Sequence, residues 1–162
     1  MKVIYTKMVA DLFHPGHVNF LRNARALGDR LVVHIVDDER VSSFKRQPVM
    51  NQAERLAVVA ACRYVDEVAE EGPRIITPEF MQEKGYAIYA FACCGTEELV
   101  TKRRDCPDLP DHMLGVLSYT DGVSTTALIQ RVQQRLEHAE EMLTRHDLQS
   151  IGQSYVAMNE EF

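Results

Sequence analysis

Short apolar runs alternate with amphipathic stretches along this chain, and the alternation is that of an α/β fold. KVIYTKMVA (2–10) predicts a first strand. HVNFLRNARALGD (17–29) predicts a helix with Val18, Leu21 and Ala24 on one side, joined by Phe20 and Leu27. RLVVHIV (30–36) is the next strand, near-continuously apolar as strands covered on both faces are. Strand, helix and strand in so short a span make a βαβ unit, which crosses over right-handedly. After a polar loop, MNQAERLAVVAACR (50–63) predicts a second helix, and TPEFMQEKG (77–85) a short one that starts at Thr-Pro and stops at Gly. YAIYAFAC (86–93) and MLGVLSY (113–119) read as the third and fourth strands. A last helix is expected over STTALIQRVQQRLEHAEEML (124–143), where Leu128, Val132, Leu136, Ala139 and Leu143 recur at helical spacing. The expected architecture is one Rossmann-like, doubly wound parallel sheet over residues 1–147, followed by a tail, 148–162.

Composition narrows the class. With 162 residues, 46% of them hydrophobic, one domain with a real core is the natural count. No signal-like N-terminus and no apolar run of about 18 residues is present, so a cytoplasmic protein is expected. Cys62, Cys93, Cys94 and Cys106 show no C-x-x-C spacing and suit reduced thiols better than disulfides or a zinc site. A formal charge of −6 argues against broad nucleic-acid or membrane-surface binding. An anionic ligand would therefore need a local cluster of cations.

Ligands of doubly wound sheets sit beyond the carboxyl ends of the strands, beside helix N-termini. Two stretches fall at that edge: His14-Pro15-Gly16-His17 and Gly122-Val123-Ser124-Thr125-Thr126. The second offers hydroxyls and backbone N–H groups to a phosphate, although Ser124 or Thr125 serves equally as a plain N-cap worth about 1 kcal/mol. A histidine near a turn is also often only a packing residue.

Taken together, the two stretches resemble the nucleotidyltransferase superfamily with an H-x-G-H motif after the first strand and an I-S-T-type motif before the last helix. Within it the chain is similar to small cytidylyltransferases of the glycerol-3-phosphate type. The resemblance runs from about Lys2 to Val132, through Asp11–His17, Ala26–Asp29, Asp37-Asp38-Glu39, Glu54-Arg55, Arg63–Val68 and Thr120–Thr126.

The resemblance implies direct attack of an acceptor's phosphate oxygen on the α-phosphate of a nucleoside triphosphate, with pyrophosphate leaving and no covalent enzyme intermediate. It implies that His14 and His17 contact the triphosphate, with Gly16 letting the backbone approach, and that Ser124, Thr125 and Thr126 hold the outer phosphates. Ala10, Asp11, Thr120 and Gly122 are carried over as binding positions. Lys45 and Arg46 fall on the loop after Asp37-Asp38 where relatives carry phosphate-reaching lysines, or are simply solvated. Arg55 and Arg63, eight residues apart on the expected second helix, match nucleotide- or phosphate-binding positions. Asp11 and Asp38 either hold a polar substrate group or support the site, or else serve as an N-terminal cap or turn residue. Mg²⁺ is expected with the triphosphate, held mostly by phosphate oxygens and water. A homodimer is expected, with the Ala57–Ala61 run and Tyr64-Val65 either at its interface or buried.

Departures from the pattern are specific. The relatives' Gly-Thr-Phe-Asp is replaced within Lys7-Met8-Val9-Ala10-Asp11, where Lys7 or Met8 would reshape the pocket. Tyr119 stands where an arginine precedes the Thr-x-Gly-Ile-Ser-Thr motif, with Lys102, Arg103 or Arg104 as candidate replacements. The base-reading Gly-Asp-Asp segment becomes Ala92-Cys93-Cys94-Gly95-Thr96-Glu97, so backbone carbonyls near Cys93 are the expected acceptors for the cytosine amino group. The function implied is CTP-dependent cytidylyl transfer to a small phosphate- or phosphonate-bearing acceptor. The alternatives are an adenylyltransferase acting on a flavin or pantetheine phosphate, and a non-catalytic nucleotide-sensing module.

Overall fold

The computed structural model describes residues 1–140 and 142. Two compact units divide the chain, Met1–Thr125 and Thr126–Phe162. In the first, five strands form one parallel sheet: β1 (Val3–Met8), β2 (Arg30–Ile35), β3 (Glu67–Ala69), β4 (Tyr86–Ala92) and β5 (Leu114–Leu117), in the order β3-β2-β1-β4-β5. The helices are α1 (Pro15–Arg25), α2 (Asp38–Ser42), α3 (Gln52–Ala60), α4 (Pro78–Lys84) and α5 (Gly95–Arg103). Of the second unit, residues 126–140 are helical, continuing a helix that starts at 125, and Val132 and Leu136 on it are exposed. The tail expected over 148–162 and the helical position Leu143 lie outside the described residues.

Period-two alternation builds both cores. On one face Ile4, Leu31, Val33, Ile35 and Ala90 pack with Leu21 and Ala24 of α1 and Val59 of α3; on the other Val3, Tyr5, Val32, Tyr89 and Phe91 pack with Met81 of α4 and with Ile76, Cys106 and Leu109. The continuous apolarity of RLVVHI follows from burial on both faces. Strand order reverses on either side of β1, which puts the ligand edge at the carboxyl ends of β1 and β4.

The differences from expectation are local. β3 is three partly exposed residues, too short for a periodic signal, so Tyr86–Ala92 is the fourth strand and Leu114–Leu117 the fifth. α2 falls in the segment read as a polar loop, and α5 in a segment to which the sequence pattern assigns no element. α1 starts at Pro15, so His14 is its N-cap and His17 lies in its first turn. α3 stops at Ala60, and Arg63 lies past its end in an exposed turn, so Arg55 and Arg63 do not share a helix face. Within the Ala57–Ala61 run, Val59 is buried while Ala57, Val58, Ala60 and Ala61 are exposed. No helix among the described residues is long and apolar enough to cross a membrane.

Candidate active site

Proline at N1 and a histidine N-cap start α1 immediately beyond β1. His14 Nδ1 accepts from Gly16 N at 3.1 Å, and His17 Nδ1 accepts from His14 N at 3.3 Å, a reciprocal capping box made of two imidazoles. Both bonds need a lone pair on Nδ1, so both neutral rings carry their proton on Nε2. Burial lowers the pKa of His14, and burial with the neighbouring His14 takes that of His17 from 6.5 down to about 4. The rings lie 3.9 Å apart between centroids, and His17 stacks on Phe13 at 5.6 Å. Two neutral Nε2–H donors are thus fixed side by side at a helix N-terminus, an arrangement suited to phosphate oxygens. A Cβ at Gly16 would come within 2.9 Å of His14 Cε1, so the ring would have to shift to admit one.

The turn before them is held from outside. Ala10 and Leu12 have φ of 59° and 46°, a left-handed conformation that costs a residue with a Cβ about 1 kcal/mol or more. Asp11 compensates: its buried carboxylate accepts from Val49 N at 3.1 Å and Met50 N at 3.0 Å, and its carbonyl accepts from Thr125 Oγ1 at 2.9 Å. These contacts make Asp11 a tether of the turn. Thr120 Oγ1 accepts from Asn19 Nδ2 of α1 at 3.2 Å, and Gly122 has φ of 80°. The 120–125 segment is therefore fastened to the H-x-G-H turn at both ends. Ser124 is exposed, and Thr126 belongs to the second unit.

The cations sort into two kinds. Arg55 is fully buried and gives its guanidinium to Val9 O (2.6 Å), Val36 O (2.8 Å), Met50 O (3.2 Å) and Asp38 Oδ1 (2.5 Å). It ties the ends of β1 and β2 to α3 and leaves little for a phosphate; the expectation that it binds nucleotide is corrected to a structural one. Asp38 is likewise a structural partner, of Arg55 and of Gln52 N. Lys45 is different. Loss of hydration and then repulsion from Lys102 and Arg46 lower its pKa, Glu98 opposes this, and its charge reaches His17. Lys45 thus brings positive charge to His17, and Arg46 and Lys102 lie within charge range of Lys45.

Sequence reasoning missed Glu98. Its Oε2 accepts from Cys94 N at 2.8 Å, at the start of α5, and its Oε1 accepts from Tyr119 Oη at 2.7 Å. Those hydrogen bonds and Lys102 hold its pKa down. Tyr119, which stands where the resemblance expects an arginine, donates instead to Glu98. Of the three candidate replacements, Lys102 stands by the site, Arg103 is bound to Leu109 O and Asp111, and Arg104 caps α5. Cys93 is buried with its thiol pointing to Gly95 O at 3.2 Å, and burial and Glu98 push its pKa up, so it is a wall and not a thiolate. No signal in the sequence marked Glu98, because α5 itself carries no buried face.

Fold and site together define a Rossmann-like α/β domain centred on an H-x-G-H turn. Residues 9–131 match the cytidylyltransferase-like family model, and the chain belongs to that family. It is 37% identical over 134 residues to an ethanolamine-phosphate cytidylyltransferase of Dictyostelium discoideum, covering 80% of this chain and 36% of that protein. It is 33% identical over 136 residues to choline-phosphate cytidylyltransferase A of Mus musculus, with the same two coverages, 80% and 36%. The chain thus spans about a third of the length of these relatives. Among solved structures, a lipopolysaccharide core biosynthesis protein from Thermoplasma volcanium shares the fold, with a TM-score of 0.53 and 22% identity over 74% of this chain and 97% of that one.

Proposed function

We propose that the protein transfers a cytidylyl group from CTP to a small phosphate- or phosphonate-bearing acceptor. An acceptor oxygen attacks the α-phosphorus, the bond to the β-phosphate bridge oxygen breaks, and pyrophosphate leaves with that electron pair. The observation that carries this reading is the pair of imidazoles whose Nδ1 atoms are both occupied by backbone N–H groups, leaving both Nε2–H donors for the triphosphate. Catalysis of this kind rests on positioning and on donors aimed at developing charge, with no nucleophile supplied by the protein. Lys45, Arg46 and Lys102 supply the local positive charge that an acidic protein needs to hold a polyanion.

Mg²⁺ enters with the nucleotide in this proposal. It is held mainly by phosphate oxygens and water. A homodimer belongs to the same proposal, with Ala57, Val58, Ala60 and Ala61 as apolar surface for it; sedimentation equilibrium checks it.

The test is pyrophosphate release with Mg²⁺, with CTP and ATP supplied separately against phospho-alcohols and small phosphonates. CTP-dependent turnover lost in His17→Ala supports cytidylyl transfer. Turnover with ATP alone moves the protein to the adenylyltransferases, and nucleotide binding without turnover favours a sensing module.

A further inference from the structure

A second polar group sits at the carboxyl ends of β1 and β2, on the sheet face opposite α1. Lys7, near the end of β1, has a side chain only 10% exposed, and its ammonium donates to Arg74 O at 2.7 Å and to Asp105 Oδ2 at 3.0 Å. An ammonium has three donors, so one remains for a ligand. Arg40 of α2 is close enough for its charge to act on Lys7, and it donates to Gly72 O at 3.2 Å and Pro73 O at 3.0 Å. Beneath them Tyr5 Oη and His34 Nδ1 are 3.1 Å apart, and Gly72 lies over that pair so closely that a Cβ there would come within 2.5 Å of His34 Nδ1. The 72–74 loop is therefore seated firmly, with two cations at its base. Asp105 is the acid paired with Lys7, and its own side chain is 46% exposed.

Asp105 balances one of these two cations, and the guanidinium of Arg40 is met by neutral carbonyls, so the group keeps a net positive charge that suits an anion. Lys7 lies on the strand at which the sheet order reverses, four residues before the tethered Asp11 and the turn that carries His14. An acceptor presenting its phosphate or phosphonate beside His14 would direct its remaining group along this edge. The similar proteins are named for ethanolamine phosphate and choline phosphate, whose far ends are cationic ammonium groups. Two like charges brought together across a binding site repel, which disfavours such acceptors.

We propose that Lys7 and Arg40 form an acceptor-selecting subsite for a phosphate or phosphonate whose far end is a carboxylate, and that they reject acceptors ending in an ammonium. This rests on the cytidylyl-transfer reading and names its acceptor class. Lys7 and Arg40 act on the substrate's far end and take no part in the bond exchange at the α-phosphorus.

The experiment compares phosphoglycolate and 3-phosphonopropionate with neutral glycerol 3-phosphate and with phosphocholine and O-phosphoethanolamine. Both turnover with CTP and Mg²⁺ and calorimetric binding with CTP and Ca²⁺ are read on the full chain. The carboxylates are expected to bind tighter than the ammonium compounds by about tenfold or more, and Lys7→Gln is expected to remove that margin. Arg40→Gln gives the same reading where a melting curve shows Lys7→Gln unfolded. Equal or tighter binding of phosphocholine, a margin that survives both substitutions, or no binding by any compound overturns the subsite. Selective binding with no turnover leaves the subsite standing and counts against the transfer reading alone.

Discussion

Arg55 and the Lys45–Arg46–Lys102 group flank the same turn and carry the same sign of charge, yet they do opposite jobs. Arg55 is fully buried, with its guanidinium spent on three carbonyls and a carboxylate. Lys45 has its pKa lowered by loss of hydration and then by the like charges of Lys102 and Arg46. A guanidinium buried on three carbonyls and a carboxylate organises the fold, whereas cations crowded against one another are stabilised when an anion arrives. Charge and motif position alone did not separate the two; the destination of each N–H did.

The largest effect should come from the committed cation. Arg55→Met leaves the carbonyls of Val9, Val36 and Met50 without it, and should lower unfolding free energy by about 3–5 kcal/mol in urea denaturation. Arg55→Lys should recover only part of that, because an ammonium cannot reproduce the fork. A variant that keeps its stability and loses only nucleotide affinity would reverse the assignment of Arg55.

His17→Ala should cut turnover by about 100- to 1,000-fold while costing only about 1 kcal/mol of stability through the lost capping box. Gly16→Ala should also reduce turnover, since its Cβ has to displace the His14 ring. Lys45→Met sharpens the contrast with Arg55: CTP affinity should fall by about 10- to 100-fold, with unfolding free energy within about 0.5 kcal/mol of the parent. Isothermal titration and urea melts on each variant check the split.

Acid should act through the buried histidines. His17 and His34 have folded-state pKa values of about 4 against 6.5 when unexposed to the fold, chiefly through desolvation. The unfolded chain therefore binds protons that the folded one does not, so their contribution is complete above pH 6.5 and is lost as pH falls towards 4. The denaturation midpoint should drop through that window, and His17→Gln should make the drop shallower. The smallest effect is expected at Ala10, where relieving φ of 59° by Ala10→Gly should add about 0.5 kcal/mol.

Much of this was legible from sequence because the relevant signals are local. The Thr-Pro start and Gly stop of α4 are realised, with Thr77 capping Phe80 N and Gly85 at φ of 68°. The apolar spacing of α1 and the continuous apolarity of β2 mark burial on one stripe and on two faces. What stayed hidden depends on long-range partners. β3 owes its pairing to Val32–His34 and not to any pattern of its own. Asp11 reaches residues 38 and 39 positions away, and the bond from Tyr119 to Glu98 spans 21. Nothing in the identity of Arg55 announces that β1, β2 and α3 converge on it.

At the centre of the account are two histidines that are neutral, protonated on Nε2 and fixed in that tautomer before any triphosphate binds. Nitrogen-15 NMR of histidine-labelled protein at pH 7 without nucleotide reads this directly. The account predicts neutral imidazoles at positions 14 and 17, each with an unprotonated Nδ1 and a proton on Nε2. A proton on Nδ1 of either ring, or an imidazolium at either position, would contradict it.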